Sequence, residues 1–431
     1  MTELNRLYDL FRNSAGITTD SRSIREGEIF FALRGPNFDG NRYAPAAIGA
    51  GALAAVVDDR SLAGGKYITV DDVLETLAAL ANYHRRILDM PVIAVTGSNG
   101  KTTTRELITA VLSRKKKTHS TAGNLNNHIG VPLTLLGTPG DAGFLVVEMG
   151  ANHKGEIASL CEIAMPTHGI ITNIGTAHIE GFGSLEDVKK AKSELYRWLG
   201  KSNGIAIYND DDTILKDLIA FAGEAVPYSS PAGKRLNAIP ARNESLFLGV
   251  DATIDERSYS IATGLFGSYN IDNVRAAMAA GLLFEVAELD IIDAISSFRP
   301  ENNRSQVVDT GKNIVIRDAY NANPASMQQA IDSFAALKGE KKMVILGDML
   351  ELGSESTAGH ALVVEQLNNV SGVVIVLAGP LFMKAAADTQ AHCFNSSGEI
   401  AEWLRSFKPL GYNILVKGSR GMMMEKVYPL L

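Results

Sequence analysis

Short apolar runs recur along the chain, each closed by glycine, proline or small polar residues, with helical patterns between them. In the first 85 residues the runs are Ile29-Phe30-Phe31-Ala32-Leu33 and Ala54-Ala55-Val56-Val57. The turn-rich Arg34-Gly35-Pro36-Asn37-Phe38-Asp39-Gly40 and an Ala/Gly helix-like stretch separate them. Runs this short, bounded by turn formers, read as buried strands. A break at Asp89-Met90-Pro91 leads into Val92-Ile93-Ala94-Val95, and further runs follow at Phe144-Leu145-Val146-Val147 and Gly169-Ile170-Ile171-Thr172. Ser184-Leu185-Glu186-Asp187 predicts a helix start, with Ser184 as N-cap and Asp187 weakly imitating the partner of a capping box. After residue 300 the strands are Ile314-Val315-Ile316, Met343-Val344-Ile345-Leu346, Val373-Val374-Ile375-Val376-Leu377 and Ile414-Leu415-Val416. Each of these last four ends in polar or Gly-rich residues: Asp318, Gly347-Asp348, Gly379-Pro380 and Lys417-Gly418-Ser419-Arg420. Ligands gather at the carboxyl ends of strands in open α/β sheets, so these loops are where a substrate is expected.

The alternation of strand and helix predicts an α/β fold. Length allows two or three domains, and the segments fall over 1–85, 86–300 and 301–431. Composition narrows this little further. A chain of 431 residues exceeds one hydrophobic core, and 46% hydrophobic with 21% charged residues is ordinary for a soluble globular protein. A net charge of −7 leaves no basic surplus for neutralising nucleic-acid phosphates. Cys161 and Cys393 are too few and too far apart for a disulfide framework or a zinc site. With no signal-like core near Met1 and no apolar run long enough to span a bilayer, the expectation is a cytoplasmic protein, not inserted in a membrane.

The strongest chemical signal is Thr96-Gly97-Ser98-Asn99-Gly100-Lys101-Thr102-Thr103-Thr104. It lies between the strand ending at Val95 and a helical pattern with Leu107, Ile108, Val111 and Leu112 on one face. Backbone N–H groups of a tight Gly turn at a helix N-terminus can surround phosphate oxygens. Gly97, Ser98, Asn99, Gly100 and Thr103 would form that cradle, Lys101 would lie against the β- and γ-phosphates, and Thr102 would offer a hydroxyl to Mg²⁺. Val95 stands where the general G-x-x-x-x-G-K-[ST] pattern has its first glycine. The alternative is a chance turn with a surface lysine; the flanking strand and helix make binding of a nucleoside triphosphate the reading.

Mg²⁺ beside the phosphates needs further ligands. Glu148 closes a strand and suits the task, although a solvated strand-end glutamate would look the same. His178, in Asn173-Ile174-Gly175-Thr176-Ala177-His178, again follows an apolar strand; a lone histidine is as readily structural. Lys192 lies near Lys189 and Lys190, and composition alone makes it part of a solvated basic face. Asp318, Asn321, Asn323 and Ser326 combine an anion with short hydrogen-bonding groups, suited to an ammonium and an amide or simply to caps and turns. Lys417 and Arg420 supply positive charge for a carboxylate or phosphate, or are surface charges.

Taken together, these segments resemble the Mur ligase family along essentially the whole chain. The resemblance would make 1–85 a small α/β domain, 86–300 a central P-loop ATPase-like α/β domain and 301–431 a C-terminal Rossmann-like domain. Thr96 to Thr102 matches that family's T-G-[ST]-N-G-K-T loop. Gly267-Ser268-Tyr269-Asn270-Ile271-Asp272-Asn273 is similar to its G-x-H-N-x-x-N, with Tyr269 in place of the usual histidine; the resemblance makes Asn273 an adenine contact. The runs Asp318 to Met327, Arg299 to Gln306, Leu346 to Gly353, Val416 to Met422 and Gly123 to Pro132 resemble the member that adds D-alanyl-D-alanine. No Asp-Asn-Pro-Arg-like motif of the member adding the third residue is present.

The resemblance implies ATP contacts for Arg304 and Asp318, and D-Ala-D-Ala contacts for Asn321, Asn323, Ser326, Lys417 and Arg420. Thr19-Asp20-Ser21-Arg22 and Phe31 to Gly35 resemble the UDP-sugar-binding part. From that come UDP-substrate contacts for Ser21, Arg22, Gly40, Asn126 and Asn127, although Asn41 stands where a histidine is common. It also implies catalytic roles for Lys101, Glu148, His178 and Lys192, and a metal set of Thr102, Glu148, His178 and Lys192 with Lys192 carbamylated. The implied enzyme is a monomer that joins D-alanyl-D-alanine to UDP-MurNAc-tripeptide through an acyl phosphate, with ATP and Mg²⁺. Two rivals remain: a folylpolyglutamate synthase-like ligase, and a non-enzymatic switch that uses ATP.

Overall fold

The computed structural model describes residues 3–175, 179–242, 245–387 and 389–431. Three layered units follow one another along the chain. The first carries β1 (Ile17–Thr18), β2 (Ile29–Phe31), a small hairpin of β3 (Arg34–Gly35) and β4 (Phe38–Asp39), then β5 (Ala54–Val57) and β6 (Tyr67–Thr69). Its parallel sheet has the order β1-β2-β5-β6. Successive residues feed opposite faces, as the pleat requires. Ile29, Phe31, Ala54 and Val56 face one core, whereas Phe30, Ala55 and Val57 pack on the short helix Ala44–Gly49 side.

Residue 85, the expected end of this unit, lies within helix Val73–Ile87. Asp72 caps that helix by accepting from the Glu75 N–H. Leu77, Leu80 and Ala81 pack into a core shared with Val131, Leu135, Ile157 and Leu160 of the second unit. Arg85 donates to the carbonyls of Ala164 and Met165 at 2.9 and 3.1 Å.

The second unit holds β7 (Val92–Thr96), β8 (Thr118–Ser120), β9 (Phe144–Glu148), β10 (His168–Ile171), β11 (Ile205–Tyr208) and β12 (Glu224–Pro227). They form a parallel sheet in the order β12-β11-β10-β7-β9-β8. Both faces are covered: Val92 and Ala94 point to one core, Ile93 and Val95 to another, which explains the uninterrupted apolar runs. The strand order reverses around β7, so a crevice opens beyond its carboxyl end between β9 and β10. Ser184 caps helix Leu185–Ser202, its Oγ accepting from the Asp187 N–H at 3.1 Å.

An antiparallel sheet of β13 (Leu236–Pro240), β14 (Phe247–Ile254) and β15 (Arg257–Phe266) completes the unit. The sequence reading does not anticipate it. Its first strand alternates buried Leu236 and Ala238 with exposed Asn237 and Ile239, and the other two interrupt their apolar residues with glycine and polar residues, without the continuous apolar run that marks the parallel strands.

The third unit contains β16 (Gln306–Asp309), β17 (Ile314–Asp318), β18 (Lys342–Gly347), β19 (Val373–Ala378), β20 (His392–Phe394) and β21 (Asn413–Lys417). Their order is β16-β17-β21-β18-β19-β20, parallel except for β16. Val315, Ile345 and Val416 face one layer, and Ile316, Val344 and Leu415 the other. Each strand expected after residue 300 is present. No helix among the described residues is long and apolar enough to cross a membrane.

Candidate active site

The crevice beyond β7 is built by strand ends. Thr96 leads into Gly97 (φ +141°) and Gly100 (φ +80°), and helix Lys101–Leu112 begins at once. Both glycines are required. A Cβ on Gly100 would lie 2.5 Å from Asn273 Oδ1, and one on Gly97 would press into the Thr172 side chain. The helix is anchored by Leu107, Ile108, Val111 and Leu112, all buried, each contributing on the order of 2 kcal/mol of transfer free energy.

The next strand end over secures the loop. Asn99 N–H donates to Asn173 Oδ1 at 2.9 Å, while Thr172 Oγ1 donates to the Asn99 carbonyl at 2.6 Å. Ser98 Oγ exchanges hydrogen bonds with Gly175. Lys101 folds back on the loop, its Nζ donating to the Gly97 and Ser98 carbonyls at 2.7 and 3.0 Å. Desolvation in the crevice pulls its amine down to about 8, against the charge of Glu148, which favours the cation.

Glu148 ends β9, almost fully buried. Its Oε2 accepts from Thr102 Oγ1 at 2.8 Å and its Oε1 from Asn126 Nδ2 at 2.8 Å, with Arg105 Nε 3.7 Å away. A hydroxyl and a carboxylate side by side at the loop are hard oxygen donors that suit Mg²⁺. His178 lies outside the described residues. Among those described, no group of three or more His, Cys, Asp or Glu side chains forms a metal cage.

The third unit supplies the opposite wall. Asp318 and Lys417 are partners in the β17–β21 register, and their side chains pair at 2.5 Å. Asp318 Oδ1 also accepts from the Ser305 N–H at 2.9 Å. Asn323 caps helix Pro324–Ala335 in a capping box with Ser326. Its Nδ2 reaches across to Asn99 Oδ1 at 2.8 Å, a direct bond between the third unit and the phosphate loop. Ser98, Lys101, Glu148, Arg304, Tyr320 and Arg420 all line the resulting cleft, about 1080 Å³ in volume.

Three family descriptions fall in order on this framework. "Mur ligase family, catalytic domain" matches residues 13–85, "Mur ligase middle domain" 95–281, and "Mur ligase, glutamate ligase domain" 303–420. The UDP-N-acetylmuramoyl-tripeptide--D-alanyl-D-alanine ligase of Bacillus subtilis is 34% identical over 426 residues, covering 96% of this chain and 92% of that one. The chain belongs to the Mur ligase family.

Solved structures agree. MurF from Acinetobacter baumannii superposes with a TM-score of 0.84 at 31% identity, covering 97% of each chain. The MurF ligase of Thermotoga maritima, in complex with ADP, gives 0.84 at 27% identity, covering 98% of this chain and 97% of that one.

Within this Mur ligase the expected residues divide. Asn99, Gly100, Thr103, Asn126, Asn127, Asn273, Asp318, Asn321, Asn323, Ser326 and Lys417 also line the cleft. Several have their polar atoms committed. Asn273 accepts from Thr104 Oγ1 at 2.9 Å and donates to Asn270 Oδ1 at 2.8 Å, tying the phosphate-loop helix to helix Ile271–Leu283. Asn127 Oδ1 accepts from the N–H groups of Ile129 and Gly130. Asn321 Nδ2 is 3.3 Å from Glu351 Oε2. Tyr269, standing for the usual histidine, is bonded to Ser305 Oγ at 2.8 Å, and burial pushes its pKa up, so it stays neutral.

Ser21, Arg22 and Gly40 lie in the first unit and do not line the cleft. Arg22 is forked onto Asp20 at 2.8 and 2.7 Å. Gly40 has a packing reason: its N–H bonds the Leu33 carbonyl, and a Cβ there would overlap that peptide.

Lys192 departs from the solvated face its neighbours suggest. It is 1% exposed, its Nζ has no hydrogen-bond partner among the described residues, and the Phe182 ring lies 5.5 Å away. Burial, then the charge of Lys101, lowers its amine to about 7.

Sequence reasoning does not single out Thr172, Asn173, Arg105, Ser305 or Tyr320 for the site. The available signal was position alone, each being at a strand end or beside a motif residue.

Proposed function

We propose that this Mur ligase joins D-alanyl-D-alanine to UDP-N-acetylmuramoyl-tripeptide, with ATP as the activating substrate. One observation carries the proposal. A phosphate loop with a partly buried lysine faces the strand-end set Asp318, Asn321, Lys417 and Arg420 across a single cleft, joined by Asn323 and Asn99. The name of the Bacillus subtilis relative supports the choice of substrates.

In the first step a tripeptide carboxylate oxygen attacks the γ-phosphorus, the bond to the β-phosphate oxygen breaks, and ADP leaves. Lys101 neutralises charge spreading over the transferred group. In the second step the dipeptide amine attacks the activated carbonyl, loses a proton, and phosphate departs with the former carboxylate oxygen. Asp318 and Asn321 orient the dipeptide's polar groups, and Lys417 and Arg420 hold its carboxylate. Contact between the third unit and the phosphate loop excludes water from the hydrolysable acyl phosphate.

Thr102 and Glu148 would hold Mg²⁺, which supplies Lewis-acid charge neutralisation at the β- and γ-oxygens. Lys192 fits the carbamate reading: a buried amine with no hydrogen-bond partner among the described residues, lowered to about 7, is populated in the neutral form that adds CO₂. The same reading gives the first unit the UDP end of the substrate, through Ser21 and Arg22. It also takes the enzyme to act in the cytoplasm as a monomer.

Phosphate release measured with each substrate omitted in turn tests the proposal. Release is expected only when ATP, the UDP-linked tripeptide and the dipeptide are all present. Release with ATP alone would support a nucleotide switch instead.

A further inference from the structure

Tyr320 sits between two arginines that come from different loops. The guanidinium carbon of Arg304 lies 3.6 Å from the centre of its ring, and that of Arg420 lies 5.5 Å away. Both separations are within cation–π range. All three residues line the main cleft. Neither arginine forms an ion pair with a carboxylate among the described residues, whereas neighbouring Lys417 is paired with Asp318.

The loop carrying Arg304 is held in an uncommon shape. Asn302, Asn303 and Ser305 all have positive φ, at 62°, 58° and 51°. Such conformations persist only where surrounding contacts enforce them. Here the Ser305 N–H donates to Asp318 Oδ1 at 2.9 Å, and Ser305 Oγ bonds Tyr269. Asp318 Oδ2 holds Lys417, three residues before Arg420, and the Asn321 carbonyl accepts from the same Nζ at 3.3 Å. The four residues Asp318 to Asn321 thus grip both arginine loops, through hydrogen bonds at the ends and the Tyr320 ring between.

Glu106 is near enough to feel the Arg304 charge, but no carboxylate among the described residues is within ion-pair distance of either guanidinium. The two guanidiniums gathered on one ring therefore repel each other, and the ring face offsets only part of that cost. A bound anion completes the arrangement. We propose that Tyr320 is a positioning residue that holds Arg304 and Arg420 as a two-guanidinium anion site, linking the phosphate end of the nucleotide to the carboxylate end of the dipeptide. This rests on the ligase reading for the identity of the second anion. The first anion rests only on the phosphate loop, because Arg304 and Lys101 line the same cleft.

The Tyr320 hydroxyl makes no hydrogen bond among those the structure shows, so the ring face alone does the positioning. Tyr320→Phe is therefore expected to match the parent protein within about twofold. Tyr320→Leu, similar in bulk but without a π face, is expected to weaken equilibrium binding of Mg²⁺ with a non-hydrolysable ATP analogue by about tenfold. The KM values for ATP and for D-alanyl-D-alanine should rise together by a similar factor, with a smaller change in kcat. Thermal melting establishes that each variant is folded; should Tyr320→Leu not fold, Tyr320→Met serves with the same expectations.

The proposal is overturned if the leucine variant binds the analogue like the parent protein, if phenylalanine is as damaging as leucine, or if the loss falls only on kcat. Parent protein that binds the analogue yet releases phosphate without dipeptide would sink the ligase reading. The ratio of analogue affinities between phenylalanine and leucine variants would still decide the role of Tyr320.

Discussion

Lys101 and Lys192 are two amines moved from the usual lysine range for the same reason, burial, and the proposed chemistry needs opposite protonation states of them. Lys101, at about 8, must be charged to neutralise phosphate; it loses its proton as pH rises through that value. Lys192, at about 7, must be neutral to take up CO₂; it gains a proton as pH falls through that value. Since kcat/KM for ATP reports the free enzyme, it is expected to follow a narrow bell, falling below about 7 and above about 8. Added bicarbonate should raise the acid limb only. A profile flat across both values would contradict these assignments. Replacing Lys101 with Ala should cut ligation by roughly 10³-fold in a protein that still melts normally; turnover within a few-fold of the parent would remove Lys101 from the mechanism. At this scale the sequence was most informative for the phosphate loop, whose chemistry is local. It was least informative for Lys192, whose charged neighbours describe a solvated face although the helix turns that one residue inward.

Strands and helix starts were legible wherever a pattern repeats within a few residues. The capping serine at Ser184 and the four apolar strands after residue 300 lie where periodicity and turn formers place them. The antiparallel β13–β15 sheet was not legible, because glycine and polar residues break its apolar positions into runs of one or two. Nor did residue type distinguish a ligand contact from a cap. Asp348, in the run Leu346 to Gly353 that resembles the D-alanyl-D-alanine-adding enzymes, is fully buried at the end of β18. There it accepts from the N–H groups of Leu381 and Phe382 at 3.0 and 2.8 Å, at the start of helix Pro380–Ala385. His360, whose Nε2 accepts from the Met349 N–H, stands 3.6 Å from the carboxylate. Asp348→Ala should therefore lower stability in urea by about 3 kcal/mol through the two stranded donors, with the KM for ATP unchanged. A raised KM with unchanged stability would make Asp348 a ligand contact instead.

At the scale of the whole molecule the three units are not equally separable. One core runs from Leu7 and Phe31 through helix Val73–Ile87 into Val131 and Leu160, so the larger of the first unit's two apolar layers is shared with the second unit and only the small layer around Phe30 is its own. The third unit encloses its sheet between two layers drawn almost entirely from residues after 301. A fragment of residues 301–431 is expected to melt cooperatively, whereas residues 1–85 alone should show no cooperative transition by circular dichroism. A sharp transition in the shorter fragment would show that the shared core is dispensable. Sequence alone indicated three units but not this sharing, because which face of a helix meets which domain is settled only when the domains pack.

The central claim is that one cleft transfers phosphoryl from ATP to a peptide carboxylate and then exchanges it for an amine. The most direct measurement follows ¹⁸O from the labelled terminal carboxylate of the UDP-linked tripeptide during turnover with ATP and D-alanyl-D-alanine. One labelled oxygen should appear in each inorganic phosphate released, with ADP unlabelled and the peptide product heavier by the dipeptide. Phosphate free of label, or label in a nucleotide product, would contradict the acyl-phosphate route and the roles given to the residues around it.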